Sequence, residues 1–128
     1  MESGRENGES VRRLWELFEA RQWDAAGREL AEDVVVDWSH TGERIRACRN
    51  VIELNRNYPK PWSISVRRIV ASGNEVAAEV AVAHPGGISH CLGFYELADG
   101  RIRRATEYWV DGGAEVPPAW RARWVEPV

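Results

Sequence analysis

The dipeptide Asp99-Gly100 limits the folds open to this chain more than any other feature. It separates two runs rich in β-formers, 87–98 and 101–111. A two-residue type I′ reversal needs both central residues to accept positive φ, which Asp and Gly do. With that reversal fixed, register follows by counting outward. Ala98 faces Arg101, Phe94 faces Ala105, Leu92 faces Glu107, His90 faces Trp109 and Ile88 faces Asp111. Partners across the ladder share a sheet face. The expected face therefore gathers Phe94, Leu92, His90, Ala105, Glu107 and Trp109. A few polar groups converging among apolar walls describe a small-molecule pocket.

The rest of the chain supplies what such a hairpin would pack against. Residues 1–9, rich in Gly and Glu, are expected to be disordered, and 10–128 to form a single domain. Val11, Leu14, Trp15 and Phe18 recur at helical spacing and predict a helix from an N-cap at Ser10 to about Arg21. A second helix is expected over Trp23 to Leu30, ended by Glu32-Asp33. Val34 to Trp38 reads as a strand that turns at Gly42 into Glu43–Arg46, a small hairpin. A third helix, about Arg49 to Asn57, is stopped by Pro59 and Pro61.

Long strands follow. The first, Trp62 to Ala71, loses its alternation at Arg67-Arg68, which predicts a bulge. The second spans Glu75 to His84. A three-residue loop, Pro85-Gly86-Gly87, then places His84 opposite Ile88, Val82 opposite His90 and Val80 opposite Leu92. The competing two-residue loop puts Glu79 opposite Leu92, and hydrophobic matching favours the first register. Beyond Gly112-Gly113, Trp120 and Trp124 at i, i+4 predict a short helical strap that packs back. Helices followed by a strand meander indicate an α+β fold, a cone made by a curved antiparallel sheet wrapped around three helices.

Composition removes several function classes. A formal charge of −3 argues against nucleic acid as a partner. The two cysteines, Cys48 and Cys91, form neither a disulfide framework nor a metal-ligand spacing, so no metal and no cofactor are expected. No apolar run approaches the roughly 18 residues of a membrane span, and the polar N-terminus lacks a signal-peptide core. A cytoplasmic location is expected. Seven tryptophans are spread along the chain, as core or as walls of a cavity that accepts flat, greasy ligands.

Several pieces in order resemble one superfamily. They are Val11-Arg-Arg-Leu-Trp-Glu-Leu-Phe18, Trp23, Asp33-Val-Val-Val-Asp-Trp38, Gly42-Glu-Arg-Ile-Arg46 and Asn55-Arg-Asn-Tyr-Pro59. Asp99-Gly-Arg-Ile102, Glu107-Tyr-Trp-Val-Asp111 and Pro118-Ala-Trp-Arg121 complete the set. Over about residues 10 to 125 the chain resembles the nuclear transport factor 2-like superfamily and, within it, the SnoaL-like polyketide-cyclase group. The resemblance implies the cone-shaped fold and a container that hosts isomerases, epoxide hydrolases, cyclases, dehydratases, plain binders and assembly domains. It also implies a base five positions after the Ile of Asp-Gly-x-Ile, which here is Glu107 where relatives more often have Asp. After Ile45-Arg46 relatives commonly have Gly, and this chain has Ala47.

Glu107 is thus the first catalytic candidate, and a carboxyl desolvated beside Leu92 and Trp109 would have the raised pKa a base needs. A buried ion pair with Arg56 or Arg68 is the structural alternative. His90 is the second, as acid–base partner or donor to a substrate oxygen. Trp38, His40, Asn55, Tyr58, Trp62, Leu92, Phe94 and Trp109 are the expected substrate-binding residues, with Trp38 rather than Asp37 turned inward. Cys91 is expected to face away from Glu107, and His84 to sit on the rim. The expected activity is cofactor-independent acid–base chemistry on a small hydrophobic carbonyl or epoxide compound. A non-catalytic binder and a dimeric assembly module are the alternatives. A homodimer is expected throughout, through a convex face carrying Tyr95, Cys91, Thr106, Tyr108 and Val110.

Overall fold

A computed structural model describes residues 2–113 and 115–128. Three helices, α1 (Glu2–Glu19), α2 (Trp23–Gly27) and α3 (Cys48–Arg56), accompany six strands. The strands are β1 (Leu30–Trp38), β2 (Glu43–Arg46), β3 (Ser63–Ser72), β4 (Glu75–His84), β5 (Gly87–Ala98) and β6 (Arg101–Asp111). They form one sheet in the order β2-β1-β6-β5-β4-β3, in which only the β1–β6 pair is parallel. The α+β class and the curved sheet around N-terminal helices agree with expectation. No helix among the described residues is long and apolar enough to cross a membrane.

The core lies between the helices and the concave sheet face. Val11, Leu14, Trp15 and Phe18 of α1 are all buried, as their spacing predicts. They meet Val36, Val80, Tyr95 and Ala105, which are buried on the sheet side.

Several boundaries differ from expectation. Helix α1 starts at Glu2, so residues expected to be disordered are helical and Ser10 is an interior position. The cause is tertiary. Gly4 and Gly8, one turn apart, let the helix lie against the β3–β4 turn, where a Cβ at 4 would crowd the Gly73 nitrogen and one at 8 the Ile69 side chain. Asn7 donates to the Gly73 carbonyl at 2.8 Å. Helix α2 ends at Gly27 instead of Leu30, which opens β1. Glu32-Asp33 fall inside that strand, where its pairing with β6 shifts between Leu30 and Val35. The 3₁₀ helix Ala119–Trp124 forms, yet Trp120 and Trp124 stay exposed instead of packing back.

Register carries the largest corrections. Asp99 and Gly100 take φ of 52° and 77°, and Ala98 pairs with Arg101, as a type I′ reversal requires. A bulge then intervenes: Leu97 pairs with Ile102 but Glu96 pairs with Arg104, so Arg103 is skipped. From there Tyr95 faces Ala105, Gly93 faces Glu107 and Cys91 faces Trp109. The β4–β5 loop has two residues, with His84 paired to Gly87 and Glu79 to Leu92, the register that hydrophobic matching disfavours. The bulge at Arg67-Arg68 is where it was expected, between Val66 and Arg68.

Candidate active site

Glu107 projects from β6 into the concave face and is only 8% exposed. Its parallel neighbour on β1 is Trp38, and the Trp38 Nε1 donates to Glu107 Oε1 at 2.9 Å. The Tyr95 hydroxyl donates to Oε2, also at 2.9 Å. Burial pushes the Glu107 carboxyl above its ordinary value, and the bonds from Trp38 and Tyr95 offset that only in part. Burial and the charge of Glu107 likewise push the Tyr95 phenol up, so it remains a neutral donor. Among the described residues no cation pairs with Glu107. Arg68 instead pairs with Glu79 at 2.6 Å, and Arg56 approaches Glu53 at 3.8 Å.

Asp37 points the other way. It accepts from Arg44 at 2.6 and 3.0 Å and from Arg104 at 3.0 Å, tying β2, β1 and β6 together. The Arg44 hydrogen bond holds its carboxyl below the usual range. One strand thus presents a structural carboxylate's neighbour, Trp38, to a buried carboxylate of different character.

Two adjoining spaces lie beside the Glu107 cluster. The outer one is a cavity of about 350 Å³ walled by Trp62, Ile64, Leu54 and Val82, with His40, Asn55 and Tyr58 among its polar groups. Trp62 is held in place by Arg21, whose guanidinium stacks 3.6 Å over its ring and donates to its carbonyl at 2.6 Å. The inner space is a chamber of about 30 Å³ lined by Glu107 and Tyr95. Trp15, Trp38, Asn55 and Trp109 border both, whereas Glu107 borders the chamber alone.

Of the residues expected at the site, the structure brings together Glu107, Trp38, Trp109, Asn55, Tyr58, Trp62 and His40 around these two spaces. The His40 ring lies 5.8 Å from that of Trp38. His90, Leu92 and Phe94 are corrections: the bulge at Arg103 turns them onto the opposite, outer face. Leu92 is 43% and Phe94 60% exposed, and His90 pairs with Val110 far from the carboxylate's side of the sheet. The same flip moves Tyr95 and Cys91 inward, so Cys91 shares the Glu107 face, while Tyr108 and Val110 stay outside. Burial raises the Cys91 thiol far above its ordinary value, and the charge of Glu107 adds to this, so it is no nucleophile.

Sequence reasoning missed Tyr95, because only the bulge puts it inside, and it read Trp15 as plain core. It also missed a polar strip in the cavity wall, His84, Ser89 and Asp111. Gly86 N–H donates to His84 Nδ1 at 3.1 Å, which leaves the proton on Nε2. That nitrogen lies 2.8 Å from Ser89 Oγ, which in turn donates to Asp111 Oδ1 at 2.8 Å. These are the residue types of a hydrolytic triad in the wrong order. The serine proton points at the carboxylate and the imidazole offers it no lone pair, so the strip is an anchor and not a nucleophile. Among the described residues no three His, Cys, Asp or Glu side chains group to hold a metal.

A cone of curved sheet over three helices defines the NTF2-like class of container folds, here with a buried carboxylate on its concave face. The chain belongs to the SnoaL-like domain family, whose model matches residues 11–105. It is similar to a candidate ketosteroid isomerase from Kribbella flavida at 28% identity, covering 98% of this chain and 92% of that one with a TM-score of 0.92. An NTF2-like protein of unknown function from Burkholderia xenovorans is 27% identical, with 98% of each chain covered and a TM-score of 0.83. An epoxide hydrolase of the LEH-like type from M. tuberculosis shares the fold, at 23% identity over 84% of each chain and a TM-score of 0.71. No curated protein matches the chain in sequence.

Proposed function

We propose that this protein is a cofactor-independent enzyme that moves protons on a small hydrophobic carbonyl or epoxide compound, with the Glu107 carboxyl as the acid–base group. The observation that carries this reading is a buried carboxylate without a cationic partner among the described residues, in a small chamber that adjoins an apolar cavity. A structural carboxylate in such a place is normally paired; here burial raises the carboxyl, the direction a general base needs, and neutral donors offset that only in part. Trp62 and its aliphatic neighbours supply walls for a flat ligand, and Asn55 and Tyr58 offer polar contacts for its oxygen. The similarity to a candidate ketosteroid isomerase supports proton transfer next to a carbonyl as the first chemistry to try. Isomerisation, cyclisation, dehydration and hydrolysis all fall within reach of one such group.

The test is turnover of a panel of enolisable ketones, enones and epoxides by the wild type and by Glu107→Gln. A loss of about 100-fold or more in the variant supports the reading; equal rates rule it out. One observation favours a second reading, a non-catalytic binder: Glu107 borders the inner chamber and not the cavity itself. That reading predicts a tryptophan-fluorescence response to ligand with no product formed.

A further inference from the structure

The hydrogen-bonding groups of the cavity wall are divided by type. At the end of β4, the start of β5 and the end of β6, His84, Ser89 and Asp111 form a chain whose protons are all spent. The Gly86 N–H fills the lone pair of His84 Nδ1, so the ring's one proton sits on Nε2 and goes to Ser89 Oγ at 2.8 Å. The Ser89 hydroxyl proton goes on to Asp111 Oδ1, also at 2.8 Å. Nothing in the chain is left to donate. What it keeps are lone pairs, one on Ser89 Oγ and most of those on the Asp111 carboxylate. Among the described residues no Arg or Lys pairs with Asp111, and no other carboxylate lines the cavity.

We infer that this strip is a subsite for a hydrogen-bond donor on the ligand, a hydroxyl or amino group, and that it turns away ether, carbonyl and carboxylate ends. An ether or carbonyl oxygen meets only lone pairs there, and a carboxylate also meets the like charge of Asp111. A hydroxyl instead donates to an ionised acceptor, the stronger kind of hydrogen bond. The wall supplied by α3 and the residues after it has the complementary character. Asn55 spends one amide proton on the Val51 carbonyl at 2.8 Å and keeps the other, and the Tyr58 hydroxyl can also donate. A ligand with an acceptor at one end and a donor at the other is thereby oriented. Asn55 borders the chamber that holds Glu107, whereas no member of the strip does. Asp111 lies on the same face of β6 as Glu107 but roughly 13 Å further along the strand. A hydroxyketone therefore sits with its carbonyl toward Glu107 and its hydroxyl at Asp111. That orientation rests on the proposed function, but the donor subsite does not.

Four flat probes test the subsite: acetylnaphthalenes carrying a hydroxyl, amino, methoxy or carboxylate group on the far ring, with binding read by tryptophan fluorescence. The wild type should bind the hydroxyl and amino probes about 10-fold more tightly than the methoxy probe, and the carboxylate probe more weakly still. Asp111→Asn places an amide N–H at the same point. The methoxy and carboxylate probes should then gain, and the preference should shrink to about 2-fold or less. Size alone would give the same order in both proteins. A crystal structure of the hydroxyl complex should place that oxygen about 3 Å from the Asp111 carboxylate. Equal wild-type affinities for the hydroxyl and methoxy probes, an unchanged preference in Asp111→Asn, or no binding of any probe overturns the inference. Discrimination by a wild type that turns over no ketone sinks the proposed function and leaves the subsite. Turnover that is lost in Glu107→Gln, with no preference among the probes, sinks the subsite alone.

Discussion

Gly93 stands directly across the β5–β6 ladder from Glu107, and its missing side chain is what lets Tyr95 reach that carboxylate. The Tyr95 ring folds back over residue 93, so a Cβ there would overlap the ring and the hydroxyl. Gly93→Ala should therefore push Tyr95 aside and break its 2.9 Å bond to Glu107. Overpacking of this kind, together with a lost buried bond, costs about 2–4 kcal/mol. Chemical denaturation of the variant checks this, and wild-type stability would show that the close approach does not constrain the site.

The raised pKa of Glu107 makes stability depend on pH in a definite direction. A carboxyl whose folded-state pKa lies above its unfolded value favours folding most when protonated. Its contribution is complete below the unfolded value of 4.5 and is lost as pH rises through the folded one. Between those two pKa values the wild type should lose up to about 1.4 kcal/mol per pH unit on this account. Asp37, whose carboxyl is held below its ordinary value, acts in the opposite sense, so the useful quantity is the difference from Glu107→Gln. That variant should gain on the wild type as pH rises through the window. A pH-independent difference would mean that the carboxyl is not desolvated.

Trp38→Phe removes one donor from Glu107 while keeping an aromatic wall. The Trp38 bond is the first of the influences that lower the carboxyl, so without it the pKa should climb further. Carbon-13 NMR of the Glu107 carboxyl should show a titration displaced upward in the variant. If turnover is found, its alkaline-favoured limb should move the same way, because the base must be ionised to act. A downward displacement would refute the bond's assigned role.

Much of this architecture is legible in the residues alone, and what is not has a common cause. The Asp99-Gly100 reversal and the α1 apolar stripe are local signals, written in residues that are adjacent or one turn apart. Glu107 and Trp109 fall on the pocket side as expected because alternation along one strand is also local. The bulge at Arg103 has no such signal, and a one-residue slip sends a whole strand's side chains to the other face. Counting from the turn without it puts His90, Leu92 and Phe94 in the pocket in place of Tyr95. The parallel pairing that sets Trp38 beside Glu107 joins residues from distant parts of the chain. Gly4 and Gly8 read as disorder because glycine is a poor helix former, and only the packing partner shows why glycine is needed there.

The two thiols should differ sharply in reactivity. Cys91 is 0% exposed and its thiol is pushed far up by burial and by Glu107. Cys48 is half-buried, raised mainly by burial and then by Glu32, and its Sγ sits 3.4 Å from the Gly27 carbonyl. A disulfide exchange reagent at pH 8 should modify Cys48 slowly in the folded protein, leave Cys91 untouched, and find both in denaturant. Rapid modification of Cys91 under native conditions would contradict the register that buries it.

Ala47 occupies a backbone conformation that suits glycine. Its φ is 78° and ψ 141°, where a Cβ is strained. Three hydrogen bonds hold it there: its N–H donates to the Val34 carbonyl at 2.8 Å, and its own carbonyl accepts from Asn50 and Val51 at 3.1 and 3.2 Å. Those bonds start α3 and fix the direction in which it carries Asn55 to the cavity. Ala47→Gly releases strain of order 1–3 kcal/mol, while the freer unfolded chain takes back about 0.5–1. A net gain of about 1 kcal/mol is expected, visible as a rise of a few degrees in Tm. Because the backbone course is unchanged, Asn55 should keep its place and ligand affinity should not alter. A loss of stability would show that the residue 47 backbone departs from the conformation its three bonds define.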